Sequence, residues 1–391
     1  MLSNAMPAKS LNIGIIYGGI SEQKAGTDHY LHQVLMHIKR LAPWHRYVLI
    51  DHRRETNPFK EQFEKVILDL PPGPLRVSRW NQQLVPKILS QFDLVFSPAH
   101  FGPVRIPPQV ASVMVVHDLT RYLFPRFFPF NPVQKVLDYL AYPAMLKRYD
   151  HILAVSECTC RDLTALFKVP PEKMTVVHHG ADESFQPWID PESLEKLLKQ
   201  YGLQRPFILF LGTLEPRKNI PTLLKAFAGI KEQIPHDLVL VGQQGWKWEP
   251  ILKEIEELKI GDRVHWVGYV PDSERVFFYH AAQFLVYPSW YEGFGMPLLE
   301  ALQCGCPVIT SRVSSMPEVV GDAGLLIDPR REEELQGAML RLAQEPELRE
   351  KMRLAGFEQA QKFSWETSAR ITLEVFEKVM EMQNRRPKAE G

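Results

Sequence analysis

The sequence predicts two doubly wound α/β domains. Short apolar runs suited to buried parallel strands alternate with stretches of helical periodicity through both halves of the chain. Several of these runs end in Gly- or Pro-bearing turns that open the next helix. The 391 residues suffice for two domains of ordinary size, and a hydrophobic fraction of 45% supports ordinary cores. Lys+Arg and Asp+Glu both number 46. That balance argues against a nucleic-acid partner held by general electrostatics.

No run approaches the ~18 apolar residues of a membrane-spanning helix. The opening MLSNAMPAKS lacks a hydrophobic signal core, so a cytoplasmic location is expected. Residues 1–10 read as a disordered extension or tag remnant. The cysteines are Cys158, Cys160, Cys304 and Cys306, two C-x-C pairs. Zinc sites favour wider spacing, and buried or idle thiols are expected.

Residues 11–187 read as the first domain. LNIGIIY at 11–17 is an apolar strand that runs into Gly18-Gly19. Tyr30, Leu31, Val34, Leu35, Ile38 and Leu41 then recur at helical spacing. A phosphate could rest against such a turn, although the dinucleotide Gly-x-Gly-x-x-Gly spacing is absent. Further strands are expected at 47–51, 66–70, 94–97, 113–116 and 152–155, with helices at 82–91 and 133–147. His117 and Asp118 stand at the carboxyl end of the run 113–116, where open α/β sheets bind ligands. Residues 121–130, RYLFPRFFPF, are aromatic, basic and Pro-punctuated. They read either as a loop packed on its own domain or as an acceptor or membrane-surface contact, with Arg121 and Tyr122 as candidates. Ser156 is a plausible N-cap. His178 and His179 are neighbours on an expected strand and point to opposite faces, so no metal is expected there.

Residues 188–363 read as the second domain, after a linker near 185–192. The strand 207–211 leads through Gly212 into TLEPRKN, which puts Arg217 and Lys218 at a strand's carboxyl end and a helix start. Fixed cations aimed there favour a departing diphosphate. Strands follow at 238–241 and 264–268, the latter ending beside Tyr269 and Val270. Helices are expected at 273–282, 332–343 and 347–363. A last helix, 364–382, should cross back to the first domain, and 383–391 should form a disordered tail.

The most informative stretch is 284–310, FLVYPSWYEGFGMPLLEALQCGCPVIT. It reads as strand, loop, helix, strand. Glu292, Gly293, Phe294 and Gly295 fill the loop, and glycines let backbone N–H groups approach a ligand. Met296, Pro297 and Leu298 open the helix, with Pro suited to its first turn. That helix start offers free donors and partial positive charge to a phosphate. Glu300, one turn in, is an acceptor suited to vicinal hydroxyls such as those of a ribose.

Glu292 and Glu300, with seven residues between them that include Gly-Phe-Gly, resemble the signature of the retaining family 4 glycosyltransferases. The likeness extends over nearly the whole chain. It implies the GT-B fold, two Rossmann-like domains facing across a cleft, with a nucleotide sugar as donor. It further implies that Arg217 and Lys218 hold the diphosphate, Glu292 and the 293–295 backbone hold the hexose, and Glu300 holds the ribose. His117 would approach the sugar or phosphate. Gly19, Gly212, Tyr269 and Val270 would line the donor, with Asp118, Arg121 and Tyr122 on the acceptor side. No metal or other cofactor is implied. The motifs GTLEPRKN and VVHDL look most like the bacterial mannosyltransferase branch, which points to GDP-mannose and to a glycan or lipid-linked acceptor, with contact to the inner membrane surface as one option. The competing readings are a UDP-glucose-type transferase, a GT-B epimerase or phosphorylase, a Rossmann oxidoreductase, and an inactive sugar-nucleotide-binding module.

Overall fold

Residues 10–18, 26–73, 75–99, 102–128 and 132–385 are described by a computed structural model of the protein. Among them, seven strands form the sheet of a first unit: β1 (Asn12–Ile16), β2 (Arg46–Asp51), β3 (Glu64–Ile67), β4 (Leu94–Ser97), β5 (Ala111–Val116), β6 (His151–Ala154) and β7 (Met174–Val176). Their order is β3-β2-β1-β4-β5-β6-β7, and every pairing is parallel. Strands β4 and β5 are buried at every residue. A central parallel strand is covered on both faces, which is why residues 113–116 and 94–96 are unbroken apolar runs. The helix Gly26–Leu41 buries Tyr30, Leu31, Val34, Leu35 and Ile38 of the positions its periodicity picked out, and leaves the last, Leu41, half-buried.

The second sheet contains β8 (Phe207–Leu211), β9 (Asp237–Val241), β10 (Val264–Gly268), β11 (Phe284–Tyr287), β12 (Val308–Ser311) and β13 (Gly324–Ile327). The order is β10-β9-β8-β11-β12-β13, again all parallel. The strand order reverses between β8 and β11. Open α/β sheets bind ligands outside the carboxyl ends of their strands at such a switch point.

The units are not two consecutive halves. The first gathers the described residues of Met1–Leu119, Asn131–His179 and Trp365–Gly391; the second gathers those of Thr120–Phe130 and Gly180–Ser364. The expected break near 187 therefore falls earlier, at Gly180, and the aromatic segment after β5 belongs with the second unit. Within that unit Trp246 Nε1 donates to Phe127 O at 2.6 Å, and the Trp246 ring stacks on Phe128 with centroids 5.4 Å apart. The Lys247 ammonium donates to Arg126 O at 3.1 Å. Hence the described residues of 121–128 group with the second unit, not with the domain that precedes them in sequence.

The last helix spans Trp365–Asn384, so Gln383 and Asn384 continue it rather than starting a tail. It packs in the first unit, with Phe376 edge-on to Phe96 at 5.2 Å and Glu366 paired to Arg40 at 2.9 Å. The stretch 82–91 is not one helix. A π turn at Trp80–Leu84 gives way to 3-10 turns at Val85–Lys87 and Leu89–Gln91. Pro86 supplies no N–H to continue an α-helical ladder. Strand β3 begins two residues before the expected start, and His178 and His179 lie beyond the end of β7. Ser156 does cap its helix, accepting from Thr159 N at 3.1 Å. Cys158, Cys304 and Cys306 are buried and Cys160 is half-buried, all as thiols. Among the described residues no helix is long and apolar enough to cross a membrane.

One glycine fixes the approach of two strand-end loops. Gly242 follows β9 with φ +148°, and a Cβ there would sit 2.0 Å from Gly212 O. Neither backbone can withdraw without breaking the bonds from Gly212 N to Val241 O (2.9 Å) and from Gly242 N to Gly268 O (2.8 Å). Gly242→Ala is expected to destabilise the chain by at least ~2 kcal/mol. The fall in the urea midpoint at constant slope measures this.

Candidate active site

The site is built at the β8/β11 switch point of the second unit. Strand β8 is wholly buried and delivers the chain to Gly212. A 3-10 turn, Pro216–Lys218, follows, and Asn219 closes it with φ 59°. Asn tolerates that left-handed position better than most residues. Its side-chain amide donates to Pro288 O at 3.1 Å and Pro329 O at 2.9 Å, which ties the turn to the loops after β11 and β13. Pro221 then opens the helix Ile220–Ile230.

This turn places Arg217 and Lys218 against Glu292 from the loop after β11. Lys218 Nζ donates to Glu292 Oε1 at 2.8 Å, and Arg217 Nη1 donates to Glu292 Oε2. Arg217 Nε pairs with Glu215, and Nη1 also reaches Tyr291 O at 3.3 Å. The Lys218 ammonium donates to the Tyr287 hydroxyl and lies 4.6 Å from that ring's centroid. Lys218, Glu215 and Glu292 are 5%, 3% and 6% exposed. Such buried charges need partners, and each has one here.

The electrostatics follow from burial and pairing. Burial alone would raise the Glu292 carboxyl, but Arg217 and Lys218 outweigh it and hold the group at about 2. Glu215 is raised by burial, against the pull of Arg217 and Lys218. Burial and the neighbouring guanidinium lower Lys218, opposed by both carboxylates. The loop backbone is held from behind by Ser315, whose hydroxyl shares its one hydrogen between Glu292 O (2.9 Å) and Phe294 O (2.8 Å).

The remaining expected residues fall in several places. Gly295, at φ +108°, precedes the helix Met296–Gln303, with Pro297 in its first turn. The Phe294 and Leu298 side chains are buried in the core, which leaves backbone as their polar face. Gly293 and Met296 are half-buried. Glu300 is only 2% exposed: its oxygens accept from Tyr279 OH at 2.7 Å and pair with Arg275 Nη2 at 3.3 Å. Gly212 lies beneath the Lys218 stem, with its Cβ position 3.6 Å from Cε. Tyr269 is exposed whereas the Val270 side chain is buried. Arg121 and Tyr122 sit on the short helix Thr120–Leu123 in the second unit, with Arg121 over the Phe128 ring.

His117 and Asp118 belong to the first unit, directly after β5. His117 Nε2 is 2.8 Å from Pro98 O, which makes that nitrogen the donor, and its ring meets Tyr30 edge-on at 4.9 Å. Gly19 lies outside the described residues. Sequence reasoning missed Glu215, Tyr287, Asn219, Tyr279 and Arg275. Among the described residues no cluster of three or more His, Cys, Asp or Glu side chains could hold a metal ion.

Two doubly wound parallel-sheet units, the second with paired cations and carboxylates at its switch point, place the protein in the GT-B class. Solved structures agree on the fold. A glycosyltransferase from Rickettsia africae matches with TM-score 0.75 at 19% identity, over 95% of this chain and 99% of that one. WaaG, a glycosyltransferase involved in lipopolysaccharide biosynthesis, matches with TM-score 0.74 at 16% identity, over 93% and 99%.

Residues 29–185 match the Glycosyltransferase Family 4 model, and 195–359 match the model described as Glycosyl transferases group 1. The O-antigen chain mannosyltransferase B of Escherichia coli is 34% identical over 270 residues, 68% of this chain and 70% of that one. The serotype-specific mannosyltransferase WbdA of Escherichia coli is 26% identical over 276 residues, 69% of this chain and 34% of that one. The chain belongs to the family 4 glycosyltransferases.

Proposed function

We propose that the protein transfers a mannosyl residue from GDP-mannose to a glycan or lipid-linked glycan during polysaccharide assembly, with retention of anomeric configuration. The observation that carries this reading is the buried Arg217–Lys218–Glu292 cluster at the switch point of the second sheet. A nucleotide sugar's leaving group gains negative charge as the glycosidic bond breaks. Two fixed cations in a low-dielectric crevice favour that state over the ground state. In this reading Arg217 and Lys218 grip the diphosphate, while the N-terminus of the helix Met296–Gln303 adds backbone donors. Glu292 orients both cations and, with the 293–295 backbone, holds hexose hydroxyls. Glu300 reaches the ribose, with Arg275 and Tyr279 fixing its carboxylate. The acceptor hydroxyl attacks the anomeric carbon as the bond to phosphate breaks, and its proton passes to the departing phosphate. Asp118, Arg121 and Tyr122 serve the acceptor. His117 meets the sugar or phosphate.

The mannosyl assignment is supported by the names of the curated relatives. The MMP alpha-(1->4)-mannosyltransferase of Mycolicibacterium hassiacum adds to them, at 32% identity over 65% of this chain and 58% of that one. A panel of GDP-mannose, UDP-glucose and ADP-glucose in a thermal-shift assay tests the donor. GDP-mannose is expected to raise the melting temperature most, because a ligand stabilises the state it binds. A larger rise with UDP-glucose overturns the donor assignment. Conversion of the nucleotide sugar without acceptor would mark an epimerase, and dependence on inorganic phosphate a phosphorylase.

A further inference from the structure

The cluster at the switch point is electrically balanced as it stands. Arg217 and Lys218 bring two positive charges, and Glu215 and Glu292 bring two negative ones. A nucleotide-sugar diphosphate adds about two negative charges to the same buried volume. With all five groups ionised that volume would hold about two uncompensated negative charges, which is costly, and one proton taken up halves the excess.

The two carboxylates are not equivalent. Glu292 accepts from both cations, one on each oxygen. Glu215 is paired with Arg217 Nε. It is 3% exposed and lies under the turn Pro216–Lys218, where the loop after β9 approaches its stem: a Cβ on Gly245 would meet Glu215 Cβ at 3.1 Å. The charged and titratable groups facing it are Arg217 and Lys218 on its own turn, Glu292 on the loop after β11, and Tyr287 at the end of β11. In the reading proposed above, Arg217 and Lys218 meet the diphosphate directly. Withdrawing Arg217 and Lys218 towards phosphate removes the two influences that keep Glu215 ionised, and leaves burial and Glu292, which favour its acid form.

We propose that Glu215 is a positioning residue that takes up one proton from solvent when the donor binds, freeing the Arg217 guanidinium to turn its charge onto the diphosphate. The new O–H bond forms on the Glu215 carboxyl. The proton returns to solvent when the nucleoside diphosphate departs and Arg217 pairs with Glu215 again. The inference rests on the reading of Arg217 and Lys218 as diphosphate ligands. It adds that donor affinity and pH are linked through a carboxyl that touches no substrate atom.

Titration calorimetry on the full chain tests this, with GDP-mannose and UDP-glucose as probes. Their phosphodiester groups do not titrate near neutrality, so any proton exchanged comes from the protein. The binding enthalpy is measured in buffers of differing ionisation enthalpy at pH about 6 to 8. Wild type is expected to take up a measurable fraction of one proton per site. Affinity should then fall as pH rises, by up to about tenfold per pH unit. Glu215→Gln is expected to bind the same probe with no proton exchange and a flat pH profile, and Glu215→Asp to restore the uptake. Binding by wild type without proton uptake overturns the inference and leaves the diphosphate reading intact. Uptake that persists in Glu215→Gln assigns the proton elsewhere and overturns it equally. Binding of neither probe removes the diphosphate reading, and the inference with it.

Discussion

Replacing Glu292 by Gln is expected to lower transfer by at least ~10²-fold while nucleoside diphosphate binding survives. The amide keeps the shape of the carboxyl but cannot fix two cations. Lys218 Nζ, 2.8 Å from Oε1, and the Arg217 guanidinium on Oε2 would lose their shared anchor. The cluster would then carry net positive charge, which suits a diphosphate and explains why GDP affinity should be kept or raised. Turnover suffers because the cations and hexose lose a common reference, and misplacement by about an ångström is costly in rate. Stability should fall as well, by about 3 kcal/mol, since an unbalanced buried charge remains. Ala would add a cavity to that loss, which makes Gln the cleaner variant. A second readout separates the electrostatic role from a packing role. The Glu292 carboxyl is held at about 2, below its ordinary value of 4.5. A depressed folded-state value contributes stability that is present above pH 4.5 and lost as pH falls towards 2. Wild type should lose stability over that window, and Glu292→Gln should lose less. Equal acid unfolding of the two proteins, or full transfer by the variant, removes Glu292 from the proposed role.

How much of this was legible in the sequence depends on distance along the chain. Glu292, Gly293, Gly295, Pro297 and Glu300 lie in one strand-loop-helix unit, and local rules for helix starts and strand ends suffice to group them. Arg217 and Lys218 were legible for the same reason, as cations following a strand. What joins them to Glu292 is the pairing of β8 with β11 across more than 70 residues. Periodicity cannot announce that pairing. Glu215 was missed because alone it reads as one more acidic loop residue. Its weight comes from being buried against Arg217, and burial of a loop carboxyl has no local sequence signature. Tyr287 was read as strand apolar surface, correctly for its ring, while its hydroxyl found Lys218. Glu300 was placed rightly on its helix, but Arg275 and Tyr279 come from the preceding helix, Asp272–Ala281, and cover it. Residues 121–130 read either as a loop of their own domain or as an acceptor or membrane-surface contact, the first because chain neighbours usually share a domain. The described aromatic side chains among them found Trp246 and Tyr291 in the second unit. The false helix at 82–91 came from reading apolar spacing without giving Pro86 its full weight as a breaker.

Lys218→Met should act on the opposite side of the same balance. The thioether keeps the length and apolar stem of lysine, so contact with the Tyr287 ring survives. The ammonium is lost, and with it the bonds to Glu292 Oε1 and to the Tyr287 hydroxyl. Glu292 retains Arg217 on its other oxygen, so the carboxylate is not orphaned and the fold should hold. Burial and Arg217 already bias Lys218 against its charged form, which limits what removing that charge costs the folded state. The diphosphate is different. One of its two proposed cations disappears from a buried site, where a charge-assisted bond contributes about 1.5–3 kcal/mol. Affinity for GDP and for the nucleotide sugar is therefore expected to fall together, by roughly tenfold to a hundredfold, beyond what the fall in the urea midpoint from the cluster's net negative charge accounts for. Glu292→Gln is expected to do the reverse: binding kept, turnover lost. The contrast matters more than either value, because a general loosening of the site would lower both quantities in both variants. If Lys218→Met binds GDP as tightly as wild type, Lys218 is a core cation held for Glu292 and Tyr287. The diphosphate must then be met by Arg217 and the helix N-terminus at Met296 alone.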